Sequence, residues 1–170
     1  MALLAHRYSF VYNERVLLVM STSQICFNTI VGHVSIVEKN KKIIYINFKK
    51  KKSKKISNRL INLKKKILLY LSGKTKRISA KYKIEGNKKQ IQTWNAIRKI
   101  PYGNTWSYKK ISKIVKTSPR HIGKICSQNK ILLLIPCHRV INNNGGLGGF
   151  SGTGGINQKK KLLELEKLNS

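Results

Sequence analysis

Aspartate is absent from this sequence, and its only carboxylate side chains are Glu14, Glu38, Glu85, Glu164 and Glu166. Mechanisms that need paired aspartates, or a dense carboxylate cage for a hard cation, are all but excluded. Cysteine is scarce as well: Cys26, Cys126 and Cys137 are odd in number, widely spaced, and without CxxC or regular Cys/His ligand spacing. That pattern disfavours a disulfide framework or a zinc finger and fits a reducing, cytoplasmic setting. The longest apolar run near the N-terminus, Val16–Met20, is too short for a signal-peptide core or a membrane span. A soluble, cytosolic protein is expected.

What the chain has in excess is positive charge. It carries 36 Lys+Arg against 5 acidic residues, a formal charge of +31 on 170 residues, which calls for a polyanionic partner. Nucleic acid is the leading candidate and a membrane surface the weaker one. Heavy use of Lys, Ile and Asn accounts for roughly half of that excess as compositional bias. The length allows one domain or two small ones.

Residues up to about Thr29 show no clear pattern. Val34, Ile36, the Glu38-Lys39-Asn40-Lys41 break and Ile43–Phe48 predict a hairpin. Lys49–Lys55 reads as a solvated lysine loop. Leu60, Leu63, Ile67, Leu68 and Leu71 recur at helical spacing, with Gly73 as the C-terminal stop. Gly86–Lys89 reads as a linker, dividing a small α/β unit (1–85) from a mainly helical one (86–170). Ile91, Trp94 and Ile97 mark a short helix ended by Ile100-Pro101-Tyr102-Gly103. Ser107 can cap a helix from Tyr108 with Ile111, Ile114 and Val115 on one face, and Ser118-Pro119 can open a second helix bearing Ile122, Ile125 and Cys126. Joined by Lys116-Thr117-Ser118 and flanked by lysines, these two form a candidate helix–turn–helix.

The five apolar residues Ile131–Ile135 predict a buried strand, although periodicity alone also permits a buried helix, and Pro136 ends it. Cys137 and His138 follow directly, so a thiol and an imidazole stand at the end of a rigid element. Seven glycines between Gly145 and Gly155 form a loop that lets backbone approach a ligand closely. A last helix is expected over about Asn157–Leu168, with Leu162, Leu163 and Glu166 on one face. Glu166 is thereby aimed at the core, where a carboxylate needs a partner.

Together, Trp94-x-Ala96-Ile97-x-x-Ile100-Pro101-x-Gly103-x-Thr105-x-Ser107-Tyr108, Pro136-Cys137-His138-Arg139-Val140 and Glu166 resemble the 6-O-alkylguanine-DNA alkyltransferases, or methylated-DNA–protein-cysteine methyltransferases. The likeness is strong from Gln90 to Glu166 and looser before it. It implies a ribonuclease-H-like α/β unit followed by a winged-helix-like helical unit, acting as a monomer on double-stranded DNA with no cofactor and no metal. It implies irreversible, single-use transfer of an alkyl group from the 6-oxygen of guanine, and the 4-oxygen of thymine, to Cys137. By matching position, His138 is the base, Glu166 its orienting carboxylate, Asn129 the hinge asparagine and Tyr108 the proton donor to the leaving guanine. Arg120 is the finger that fills the gap left by a flipped base. The expected DNA contacts are Arg120, Ser107, Tyr108, Lys109, Lys124 and Arg139, and Val140 and Ser151 line the guanine pocket.

The chemistry needs a thiolate: near pKa 8.5 about 3% of a thiol is ionised at pH 7, and a pKa of about 6 raises that to roughly 90%. His138 with Glu166 is expected to supply this activation, through a bridging water or a turn at Pro136. Three departures from the family pattern are His121 beside the finger, Lys88-Lys89 before Gln90, expected to weaken docking between the units, and a glycine loop about two residues longer. The rival readings are a non-catalytic helix–turn–helix DNA binder, which leaves the Cys, His and Glu set unused, and a cysteine hydrolase, which lacks an oxyanion loop.

Overall fold

A computed structural model describes residues 22–170 of the chain; the Val16–Met20 run lies outside the described residues. The structure is an α/β fold with a small sheet and helices. Strands β1 (Thr22–Thr29), β2 (Gly32–Lys39) and β3 (Lys42–Asn47) form an antiparallel meander in the order β1-β2-β3. The expected hairpin is β2–β3, and its turn residues Asn40 and Lys41 both adopt positive φ, the two-residue turn whose twist matches the strands. β1 was not expected. Its buried residues Ser23, Ile25 and Phe27 nevertheless alternate as a half-buried strand requires.

One sheet face packs against α1 (Asn58–Leu71), whose stripe Leu60, Leu63, Ile67, Tyr70 and Leu71 is buried while Leu68, expected on that stripe, is exposed. Each buried aliphatic side chain contributes about 1.5–3 kcal/mol. Ser57 caps α1, and the buried Glu38 of β2 accepts hydrogen bonds from Ser57 Oγ and from Arg59 Nε and Nη2, tying the helix start to the sheet. Gly73, at positive φ, follows the helix end.

Both sheet edges are covered. On the β3 side, Ile43 exchanges backbone hydrogen bonds with Lys81 and Lys83, and Ile46 with Lys130 and Leu132. On the β1 side, Gln24 exchanges a pair with Lys54. Lys49–Lys55 is thus not a free loop but lies along the sheet.

Helix α2 runs from Lys88 to Arg98, so Lys88 and Lys89, read as linker, are its first turn. Asn87 and Gln90 form a reciprocal cap there, a signal the lysines obscured. Lys89 Nζ donates to the carbonyls of Val115 (2.7 Å) and Lys116 (3.2 Å). This tie lies inside the second unit, between α2 and the α3 end, and does not bear on the docking between units that the Lys88-Lys89 departure was expected to weaken. Helix α3 (Tyr108–Val115) is capped by Ser107 and ends at Lys116 in the left-handed region; α4 (Pro119–Ser127) is capped by Ser118 with proline in its first turn. Both helix starts match the sequence, but Ile114 is exposed. Short strands β4 (Trp106–Ser107) and β5 (Val140–Ile141) pair in parallel.

Residues Ile131–Ile135 are buried as expected, but they are not a strand. The Ile135 amide bonds back to the Ile131 carbonyl, and Leu133 has a positive φ of 71°. The run folds into a compact turn, and among the described strands β3 meets it only at its first two residues. The chain ends in α5 (Gly155–Leu168), which buries Leu162 and Glu166 and is joined to the β1–β2 turn by Gln158 Nε2 donating to the Val31 carbonyl at 2.7 Å.

Candidate active site

Residues Cys137–Arg139 form a single 3-10 turn directly after Pro136. The expected turn at Pro136 is present, but it gives the thiol and the imidazole separate partners, Asn129 and Glu166, and among the described residues no direct hydrogen bond joins Cys137 to His138. All three residues of the turn are buried. Asn129 builds the ground beneath them: its Oδ1 accepts from the Ile131 amide at 2.9 Å, and its Nδ2 donates to the Ile135 carbonyl at 2.8 Å and to Cys137 Sγ at 3.2 Å. One side chain thus fixes the apolar turn and touches the thiol.

Glu166, fully buried on α5, accepts five hydrogen bonds. They come from Tyr70 Oη, the Gly103 amide (3.1 Å), His138 Nε2 (2.6 Å) and Arg139 Nε (2.8 Å) and Nη2 (3.0 Å). Burial alone would raise its pKa, but the hydrogen bonds from His138 and Arg139, together with the Arg139 charge, prevail and hold it at about 2. Burial pushes the His138 pKa down despite Glu166. The imidazole is therefore neutral near pH 7, and Arg139 supplies the charge that stabilises the carboxylate. A carboxylate can only accept, so His138 Nε2 carries the hydrogen, and the basic ring nitrogen is Nδ1.

Two expectations are corrected here. Arg139, expected on the DNA, is buried. Its Nη1 donates to the Ile100 carbonyl at 2.7 Å and its other nitrogens to Tyr70 and Glu166, so its guanidinium is committed to the interior. The Cys137 thiol, expected to be depressed, is raised by burial, against opposing effects of Asn129, Lys159 and Ser151. At rest it is a protonated thiol.

Lys159 was missed by sequence reasoning. It is fully buried and donates from Nζ to the carbonyls of Val140 (2.6 Å) and Gly149 (3.2 Å), and its charge favours a thiolate at Cys137. A lysine in so lysine-rich a chain reads as solvated. The signal was its position three and seven residues before Leu162 and Glu166, on the same helix face. Tyr70 enters the sequence reading only through the looser family likeness of Tyr70-Leu71-Ser72-Gly73-Lys74, with no role given to it; it continues the α1 stripe three residues after Ile67.

The thiol opens on a cleft of about 750 Å³ lined by residues that include Tyr108, Arg120, Cys126, Cys137, Phe150 and Ser151. The Tyr108 pKa is raised to about 12, by burial first and then by the two nearby thiols, so the phenol keeps its proton. Ser151 Oγ is buried without a conventional hydrogen-bond partner, although it lies near enough to Cys137 to favour the thiolate. The Val140 carbonyl is already engaged by Lys159. Arg120, Lys109 and Lys124 are exposed on the helix pair, whereas Ser107 Oγ is occupied as the cap of α3. His121 is held by Thr117 through Nδ1 at 2.9 Å, which keeps it within its own turn.

A buried cysteine, backed by a histidine–glutamate pair and opening between two basic helices, defines a thiol-based transferase site beside a nucleic-acid-type surface. Residues 88–168 match the family model for the DNA-binding domain of 6-O-methylguanine DNA methyltransferase. The chain is 38% identical over 138 residues to the methylated-DNA–protein-cysteine methyltransferase of Metallosphaera sedula, covering 79% of this chain and 86% of the relative. It is 35% identical over 145 residues to that of Sulfolobus acidocaldarius, covering 84% and 92%. Among solved structures, the Mycobacterium tuberculosis OGT in complex with DNA is similar with a TM-score of 0.77 at 27% identity, covering 86% of this chain and 94% of that one. The chain belongs to the methylated-DNA–protein-cysteine methyltransferase family.

Proposed function

We propose that this protein repairs double-stranded DNA by moving an alkyl group from the 6-oxygen of guanine, or the 4-oxygen of thymine, to Cys137, once per molecule. The carrying observation is the thiol at the cleft, held by Asn129 with His138–Glu166 behind it. The target base leaves the duplex and enters the cleft, and Arg120 fills its place in the stack. A base in the cleft displaces water, so interactions that stabilise a forming thiolate strengthen there. The Cys137 proton passes to His138 Nδ1, with a water as relay, and Glu166 steadies the imidazolium. The sulfur attacks the alkyl carbon; the carbon–sulfur bond forms as the carbon–oxygen bond breaks, and its electron pair stays on the guanine. Tyr108 gives its proton to the departing base and regains one, through water, from the His138 imidazolium, so that no charge is left behind; Lys159 offsets the charge on the sulfur while it attacks. A thioether has no route back, since thiols exchange with disulfides and not with thioethers.

This reading takes the described residues up to 85 as a ribonuclease-H-like unit and 86–170 as a winged-helix-like unit, the β4–β5 pair and the α3–α4 turn supporting the latter. It takes the protein as a cytoplasmic monomer needing no cofactor or metal. Incubation with excess duplex containing one methylated guanine should give a product plateau equal to the protein added, with one methyl mass on the Cys137 peptide. Cys137→Ser should end transfer while keeping DNA binding, because a serine hydroxyl is too weakly acidic for the same imidazole. Product formation beyond the plateau overturns the single-use mechanism.

A further inference from the structure

Six lysines occupy the seven residues 49–55, and the fold fixes their backbone. Ser35 Oγ donates to the Lys49 carbonyl and Gln24 Nε2 to the Lys52 carbonyl, each at 2.5 Å. The Cys26 amide donates to Ser53 Oγ at 3.0 Å, and Gln24 and Lys54 exchange backbone bonds at 2.7 and 2.8 Å. None of these bonds uses an ammonium group. Among the described residues, Lys49, Lys50, Lys52, Lys54 and Lys55 are exposed and in no ion pair. Lys51 reaches over the Tyr45 ring at 4.2 Å.

Tyr45 joins this strap to a cleft of about 640 Å³ whose lining includes Lys39, Lys42, Lys83 and Lys130. Its one carboxylate, Glu85, is already paired with Lys83 at 2.7 Å. The carboxyl is held low first by that hydrogen bond and more weakly by Lys130 and Lys39, so the cleft's lysines outnumber its one carboxylate. Gln128, just past the end of α4, lines the same cleft. Arg120 stands at the other end of that helix, eight residues or about 12 Å away along the axis.

We propose that the lysine strap and the adjoining cleft form a second phosphate-binding surface, which grips the backbone of the same DNA duplex outside the footprint of the helix pair. The inference rests on the alkyl-transfer reading only for the identity of the polyanion. Covering the β1 edge explains the strap's backbone bonds but not its composition, since one or two charged residues suffice to blunt an edge. Holding six like charges on a strip at most about 20 Å long is unfavourable without a counter-charge. A DNA strand offers about six phosphates over that length.

The test uses the full chain with Lys49→Gln, Lys50→Gln, Lys52→Gln and Lys54→Gln combined. Binding to undamaged duplex is measured across a salt series, on a short duplex that spans only the helix-pair site and on one twice as long. The slope of log affinity against log salt should become shallower by about 0.9 for each phosphate that the variant no longer neutralises, on the long duplex alone. Adding Lys42→Gln and Lys130→Gln should flatten it further. An unchanged slope on the long duplex overturns the proposal, as does an equal change on both lengths, which marks a general charge effect. Bridging of two short duplexes by the unmodified protein, abolished in the variant, also overturns it by placing the surface on a second molecule. So does a loss of binding to anionic phospholipid vesicles with the DNA slope intact. Reaction with free alkylated base, which has no phosphate, reports on Cys137 separately. If the unmodified protein fails there, the alkyl-transfer reading falls while the salt slopes still decide the strap.

Discussion

Behind the Cys137–Arg139 turn, Tyr70, His138, Arg139 and Glu166 use one another as partners in a buried network that joins α1, the turn and α5. In front of it, Cys137, Tyr108 and Ser151 face a cleft, and Ser151 keeps a hydroxyl unpaired. Three consecutive residues thus divide their labour: the histidine and arginine face a closed electrostatic system, and the cysteine faces a space shaped for something else. The saturated side gains rigidity from being complete. The open side is where polar groups remain for a substrate. A change behind the turn should therefore strike stability first, and a change in front should strike chemistry alone.

The largest effect is expected from Glu166→Ala. It leaves the Arg139 charge buried without its partner, a loss of about 3–5 kcal/mol, or about 10 °C in melting temperature for a chain of this size. The five bonds to Glu166 make a purely kinetic role for it untenable, and Glu166→Gln should cost stability too. A melting shift below about 3 °C for Glu166→Ala would erase the distinction between the two sides.

Acid should probe the same network without mutation. The folded Glu166 pKa of about 2 lies below the unfolded value of about 4.3. The folded state thus binds fewer protons between those values, and stability is full above about pH 4.3 and falls as pH drops toward 2, by about 3 kcal/mol. His138, also lowered when folded, adds a loss that begins as pH falls below about 6.5. Urea midpoints across this range should decline on acidification, and Glu166→Gln should flatten the curve below about pH 4. A flat curve in the unmodified protein would mean that Arg139 and His138 do not hold the carboxylate as their geometry implies.

The sequence made the local features legible and concealed those set by distant neighbours. Ser107, Ser118-Pro119 and the Asn40-Lys41 turn were readable because a cap or turn is decided within about four residues. The Ile131–Ile135 run reads as a strand because its burial is visible in composition while its pairing partners are not. The Cys137, His138 and Glu166 set is named through the family resemblance, and from Glu166 alone the need for a buried partner is clear. Arg139 and Lys159 are misassigned or passed over because a cation's burial depends on acceptors, here Glu166 and backbone carbonyls, that lie elsewhere in the chain. The raised thiol has the same cause: the expectation weighs its imidazole neighbour and not its desolvation.

Asn129 stands at the border of the two sides, so its loss should divide between stability and chemistry. Asn129→Ala removes the donor to Ile135 and to Cys137 and the acceptor for Ile131, leaving buried backbone groups unpaired at a cost of about 2 kcal/mol. It also removes a hydrogen bond that favours the thiolate. Transfer should slow at temperatures where the variant is fully folded, and the slowing should shrink as pH is raised toward the thiol's own ionisation. Slowing that does not depend on pH would confine Asn129 to supporting the turn.

The smallest effect on stability is expected in front of the turn, at Arg120. Its side chain is exposed on α4 and makes no hydrogen bond or ion pair among the described residues, so Arg120→Ala should leave the melting curve within about 0.5 kcal/mol. Its consequence belongs to the extrahelical base. Without a side chain to fill the stack, the open state of a paired guanine loses its support, while an alkylated base free in solution has no stack to leave. Single-turnover rates on the two substrates should therefore diverge, with the duplex reaction slowed several-fold more than the free base. A methylated guanine opposite a mismatch, already cheaper to unpair, should fall between them. Equal slowing on all three would assign Arg120 to the pocket wall, and the front of the turn would then be a binding cleft with no part in opening the duplex.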